Sequence, residues 1–167
     1  VKKIQLGGHR YSNKPIRGYA LIDDEDYEIV SKHIWCLDNE GYASTTILEN
    51  GNVKKIRMHR LILGYPSSRI DHQNHNSIDN RRSNLRLATH QQNARNRGPT
   101  KANTSGYKGV HLRRDTNRYQ AFIKVEGKRL TLGCFKIAEE AAKAYNKAAL
   151  KYHGEFAYLN PIGKELK

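Results

Sequence analysis

Residues 69–98 read RIDHQNHNSIDNRRSNLRLATHQQNARNRG, with six asparagines and, near the start, Asp71, His72, His75 and Asp79. Such a stretch is either a solvated polar tract or a site assembled from polar side chains. Its apolar spacing decides. NLRLAT at 84–89 alternates as a strand does, RIDH at 69–72 is a second candidate strand, and the polar loop between them has several asparagines at which to turn. THQQ at 89–92 fits the capping-box pattern, with Thr89 as N-cap and Gln92 three residues on, while Gly98 closes the far end; a short helix is expected from about residue 90 to 97. The unit therefore reads strand, loop, strand, helix.

On that helix Asn93 lies one turn from His90 and from Arg97, so the three share a face. Asp71 and His72 sit at the end of the first strand, where neighbouring side chains converge only if the chain leaves regular geometry, and the polar loop that follows permits that. A carboxylate and an amide oxygen are hard ligands suited to magnesium or manganese that keeps several waters and a substrate phosphate. Adjacent His72 is placed to serve as base. His59 and His90 are possible neighbours of such a site, and His75 reads as a loop residue.

The charge of the whole chain agrees with a polyanionic substrate. Its 167 residues carry a formal net charge of +14, an excess that draws nucleic acid through the summed field and counterion release. The excess is uneven: fifteen Lys or Arg lie from Lys54 to Arg118 against Asp71, Asp79 and Asp115, whereas DDEDYE at 23–28 is acidic and is expected to face away from the polyanion. No run of 18 apolar residues suggests a membrane span, and VKKIQLGGHR at the start lacks the apolar core of a secretory signal. Cys36 and Cys134 lack the paired spacing of a metal or redox motif and are expected to be buried reduced thiols.

Residues 1–58 alternate in short runs, KIQL, YALI, YASTTIL and VKKIRM, with ENGN at 49–52 as a hairpin turn. One short helix is expected in DDEDYEIVSKHIW, with Tyr27, Val30 and Ile34 on a packed face. Gly, Pro, Ser and Thr in GPTKANTSG suggest a linker over 98–106. Beyond it YKGVHLRR, RYQAFIKV and KRLTLGCF read as three strands, and IAEEAAKAYNKAALKYHG as a helix that packs through Ala138, Ala141, Ala142, Tyr145, Ala148, Ala149 and Tyr152 and ends at Gly154. Tyr107, Phe122 and Tyr145 are expected in the core. The basic residues are expected on the sheet face that the helix leaves free.

MHRLILG at 58–64 followed by DHQNHNSIDNRRSNLRLATHQQNARN at 71–96 resembles the HNH nuclease motif in the form found in phage and homing endonucleases, over residues 59–97. The resemblance implies a ββα-metal finger that hydrolyses DNA phosphodiesters. It would give Asp71 and Asn93 one divalent cation, His72 the deprotonation of water, and Asn84 the task of holding the loop and orienting His72. Helix histidines bind zinc or nickel in the best-known metal fingers; Asn93 stands here instead and favours Mg2+ or Mn2+ over Zn2+. Arg86 and Arg97 are candidate phosphate contacts.

Residues 105–160, through YKGV, LGCF, AEEAAKAYNKAA and YHGEFAYLN, are similar to the plant ethylene-response-factor (Apetala-type) DNA-binding domain. That family lays its three-stranded sheet in the major groove, which implies DNA contacts by Lys108, His111, Arg113, Arg118, Lys124, Arg129 and Thr131. The family's tryptophans on that face are absent and His111 replaces an arginine, so base preference does not transfer.

Together these readings give an α+β protein: a β-rich segment plus HNH domain over 1–97, a linker over 98–106, a three-stranded antiparallel sheet on one helix over 107–160, and a tail over 161–167. The expected activity is endonucleolytic hydrolysis of double-stranded DNA, by nicking or double-strand cleavage. The location implied is the cytoplasm of a bacterial or phage-infected cell. The competing reading is a DNA-binding regulator with an inactive finger.

Overall fold

The computed structural model describes residues 1–7 and 16–163, so residues 164–167 of the expected tail lie outside the described residues. The chain is mixed α and β with several small sheets, of the α+β kind, and it packs as two compact units, Val1–His90 and Gln91–Lys167.

In the first unit β1 (Lys2–Gly7) pairs antiparallel with β2 (Ile16–Ile22), and a short α1 (Tyr27–Ser31) follows a single 3-10 turn at Asp24–Asp26. A sheet of β3 (Cys36–Leu37), β4 (Ala43–Glu49) and β5 (Asn52–Arg57) comes next. Asn50 and Gly51, at φ 51° and 76°, make the tight β4–β5 turn that the Asn-Gly pair predicts. Then α2 (Met58–Ile62) leads into β6 (Arg69–His72), which pairs antiparallel with β7 (Leu85–Ala88) so that Asp71 faces Arg86 and His72 faces Leu85.

One apolar core serves all of these elements. Leu6, Ala20, Ile22, Val30, Trp35, Ile56, Met58, Ile62 and Leu85 are buried together, and Trp35 satisfies its indole N–H on the carbonyl of Val30 at 2.8 Å. The β-rich segment is therefore the platform on which the β6–β7 pair is built. Of the three side chains expected on one face of α1, only Val30 is buried; Tyr27 is exposed, and so is Ile34, which lies beyond the end of the helix at Ser31, while Asp26 and Trp35 are buried. Asp26 is buried under the Arg82 guanidinium, at 2.7 and 3.0 Å. The acidic cluster is thus used internally: the backbone N–H of Arg82 also donates to Asp23, and Glu25 pairs with the same guanidinium.

The helix α3 (His90–Asn96) follows β7 directly and begins one residue before the division between the units. The second unit then builds an antiparallel sheet of β8 (Val110–Arg113), β9 (Arg118–Val125) and β10 (Lys128–Phe135), with β9 central. Across it packs α4 (Ala138–His153), ended by Gly154 at φ 57°. Buried Ala141, Ala142, Tyr145, Ala148 and Ala149 face Val110, Ala121 and Ile123, since alanines allow close approach of helix to sheet. Tyr152, at the outer edge of the helix, is 38% exposed and does not join that face.

Two further expectations are corrected. Cys36 and Cys134 are free but exposed, because each lies on a strand position that points away from its core: Cys36 follows inward-facing Trp35, and Cys134 pairs with Gln120 on the open face. Phe122 alternates with buried Ala121 and Ile123 and so lies on the open face, not in the core. Residues 98–106 fold back on the second unit, where Ser105 is buried and donates to the carbonyl of Val110 at 2.8 Å, and Asn103 donates to that of Tyr107 at 2.9 Å. Among the described residues, no helix is long and apolar enough to cross a membrane.

Candidate active site

Asp71 and His72 close β6, 5% and 7% exposed. Burying a carboxylate requires a partner, and the cross-strand register supplies it: Arg86 donates from Nε at 2.9 Å and from a terminal nitrogen at 2.8 Å, both to Oδ2 of Asp71. Arg86 is itself largely buried, so in this structure its guanidinium orients Asp71 and is not displayed as a surface phosphate contact.

His72 meets Asn80, its Nε2 lying 3.2 Å from the amide oxygen. An amide oxygen only accepts, so Nε2 carries the proton and the lone pair is on Nδ1. Asn80 is fully buried, and its amide N–H groups point to the sulfur of Met58 and the carbonyl of Ile78, each at 3.4 Å, while its backbone N–H donates to Leu21 at 2.8 Å. Sequence reasoning missed Asn80. Its signal was composition alone, one asparagine among six, and only the fold tells which of them turns inward.

Burial holds the pKa of His72 below its usual value, against the pull of the Asn80 bond and of the Asp71 and Asp79 charges. His59 packs edge-on against the same ring at 5.2 Å, with Tyr42 against both. Burial, with His72, Arg57 and Arg60 nearby, lowers the pKa of His59 to about 3, and its Nδ1 has no hydrogen-bond partner among the described residues. His59 is a neutral wall for His72.

The loop from 73 to 84 is tied internally by Asn84. Its amide donates to the carbonyl of Asp79 at 2.7 Å and its oxygen accepts from the N–H of Asn74 at 2.9 Å. Both bonds of Asn84 thus lie within the loop, and it is Asn80 that faces His72 Nε2. His90 is exposed at the start of α3, and Asn93 lies half-buried one turn on, in the second unit.

In the second unit the pairing places His111, Arg113, Arg118, Lys124, Arg129 and Thr131 on the open sheet face, opposite α4. Phe122 lies among them, with the Arg129 guanidinium 3.8 Å over its ring and His111 edge-on at 5.5 Å. Arg113 is paired with Asp115. Burial and the positive charges of Arg129 and Arg113 lower the pKa of His111, which favours its neutral form. Lys108 is not on this face: its ammonium donates to the carbonyls of Ala94, Arg95 and Arg97. Arg97 is exposed just beyond the end of α3.

A family model described as HNH endonuclease matches residues 64–95. An uncharacterized HNH endonuclease of Acanthamoeba polyphaga mimivirus is 34% identical over 151 residues, which cover 86% of this chain and 75% of that protein. Protein 3.8 of Escherichia phage T7 is 32% identical over 88 residues, covering 53% of this chain and 72% of that protein. APETALA2-like protein 2 of Oryza sativa subsp. indica is 42% identical over 64 residues, covering 38% of this chain and 14% of that protein.

Proposed function

The chain belongs to the HNH endonuclease family, and from that membership we propose a divalent-metal-dependent nuclease that hydrolyses phosphodiester bonds of duplex DNA. The observation that carries the reading is the buried Asp71–His72 pair, with the Arg86 guanidinium on the carboxylate and the Asn80 oxygen on the imidazole. A structural role alone does not require a buried carboxylate beside a buried histidine whose tautomer is fixed.

The donor set of Asp71 carboxylate and Asn93 amide oxygen fits a hard divalent ion, Mg2+ or Mn2+ in preference to Zn2+. When bound, such an ion neutralises charge on the phosphoryl oxygens and on the departing 3′ oxygen. Arg86 holds the Asp71 carboxylate in one orientation. Nδ1 of His72 accepts a proton from water, whose oxygen then attacks phosphorus as the bond from phosphorus to the 3′ oxygen breaks, while Nε2–H stays on Asn80 and keeps the ring from turning. Asn84 ties the loop that follows the two residues to itself, and His59 backs the imidazole with an uncharged ring.

The open sheet face of the second unit is the DNA-holding surface in this reading. The match to APETALA2-like protein 2 supports it, as do Arg118, Lys124 and Arg129 on a single face. Holding the duplex near the cutter raises its local concentration there, so modest affinity suffices.

Supercoiled plasmid incubated with the protein and Mg2+ or Mn2+ tests the activity. Nicked or linear product is expected, lost with chelator and with Asp71→Ala or His72→Ala. Cleavage that persists in chelator or in both variants contradicts the assignment, and a gel shift without cleavage under either ion leaves a non-catalytic DNA-binding regulator.

A further inference from the structure

By charge and by position in YKGV, Lys108 reads as a phosphate contact, yet its surroundings leave it little to offer a phosphate. An ammonium has three N–H donors. Nζ of Lys108 lies 2.5 Å from the carbonyl of Arg95, 2.6 Å from that of Arg97 and 3.2 Å from that of Ala94. Those are carbonyls at the end of α3, which the helix itself cannot pair and toward which its dipole draws positive charge. Three donors thus meet three orphan acceptors.

The lysine is anchored as well as paired. Its backbone N–H donates to the side-chain oxygen of Asn160 at 2.7 Å, and its carbonyl accepts from the amide of the same residue at 3.0 Å. Asn160, buried, is bonded in the same reciprocal way to Asn146 of α4, at 2.7 and 2.9 Å. A chain of bonds therefore runs from α4 through Asn146, Asn160 and Lys108 to the last turn of α3. The Tyr158 ring lies 5.5 Å from the ammonium, and burial pulls the pKa of the amine down to about 8.

Asn93 stands on the helix whose end is held in this way. We propose that Lys108 is a positioning residue for Asn93: it clamps α3 to the C-terminal sheet and helix, so that this module fixes a cation ligand of the nuclease in addition to holding DNA. The role rests on the reading of Asn93 as a ligand. It also assigns α4 a function in cutting that neither its alanine face nor the basic sheet would suggest.

Lys108→Met keeps the aliphatic stem and removes the donors, and Lys108→Arg restores donors to the same carbonyls. Both are made in the full chain and checked for unchanged circular dichroism. Amide hydrogen exchange over residues 90–97 reads the clamp directly, and about tenfold faster exchange is expected in Lys108→Met with near wild-type rates in Lys108→Arg. Mn2+ binding followed by electron paramagnetic resonance should weaken about tenfold in Lys108→Met and recover in Lys108→Arg, the scale of losing a second layer of support. Duplex affinity measured in chelator should change by less than about twofold. A phosphate contact gives the reverse, a loss of DNA affinity in chelator with exchange and Mn2+ binding unchanged, and overturns the proposal. Faster exchange with unchanged Mn2+ binding in the variant overturns the positioning role, whereas a wild-type chain that binds no Mn2+ fails the ligand reading itself. Should Lys108→Met not fold, Lys108→Gln, whose shorter side chain has donors for at most two of the three carbonyls, is expected to show the same two losses in smaller measure, and their absence overturns the proposal in the same way.

Discussion

At the scale of single residues, the proposed mechanism turns on which nitrogen of His72 is protonated and at what pH the ring stays neutral. The Asn80 oxygen, 3.2 Å from Nε2, favours the proton on that nitrogen. Burial bears on the second by holding the pKa below the ordinary 6.5, so the neutral base persists to lower pH than composition alone suggests. From sequence one expects cleavage to decline below about pH 6.5; the buried ring moves the acid limb of the rate profile lower. Asn80→Asp should move that limb back up, because a carboxylate at Nε2 favours the imidazolium. Single-turnover rates between pH 5 and 8 decide: a wild-type limb above 6.5 contradicts the lowering by burial, and an Asn80→Asp limb that shifts downward contradicts the tautomer assignment.

At the scale of elements, Gly109 shows how closely the second unit is packed. It has φ +73°, and a Cβ there would lie 2.2 Å from the Tyr145 ring and 2.6 Å from the carbonyl of Phe122. Both the backbone region and the contact exclude a side chain, so Gly109→Ala is expected to destabilise by about 2–3 kcal/mol or more. Chemical denaturation measures this, and a loss under about 1 kcal/mol would show that the helix and sheet have room to part.

The elements themselves were largely legible. Period-two alternation marked β6, β7, β8, β9 and β10, and alanine spacing marked α4, because each is buried on one side. Inward-turning polar residues were not legible. Asn80 is one of several asparagines in a polar loop, and its burial depends on the β1–β2 segment beneath it, since its N–H bonds Leu21 across 59 positions of sequence. Lys108 was misleading for a related reason: a lysine stem long enough to reach DNA is also long enough to reach the end of a neighbouring helix. Phe122 could have been assigned from its neighbours, as Ala121 and Ile123 already occupy the inner face.

For the molecule as a whole, several of the 30 Lys and Arg side chains are engaged by carboxylates within the fold, and the excess of +14 is carried by the others. Arg82 is bound to Asp26 and Glu25, Arg86 to Asp71, Arg81 to Asp79 and Arg113 to Asp115. Cations not used in this way carry the affinity for a polyanion. Replacing Arg118, Lys124 and Arg129 together by alanine should weaken duplex binding and make the dependence of log affinity on log salt shallower, by about 0.9 for each phosphate that is no longer neutralised. Fluorescence anisotropy across a salt series checks it, and an unchanged slope would move the DNA surface elsewhere.

The central claim is that one cation is shared by Asp71 and Asn93. Mn2+ binding to the wild-type chain, to Asp71→Ala, to Asn93→Ala and to the double variant measures it most directly. A shared ligand shell predicts one strong site, weakened about tenfold or more by either substitution, with the double variant losing far less than the product of the single losses. Independent, multiplicative losses, or Mn2+ affinity unmoved by either substitution, would contradict it.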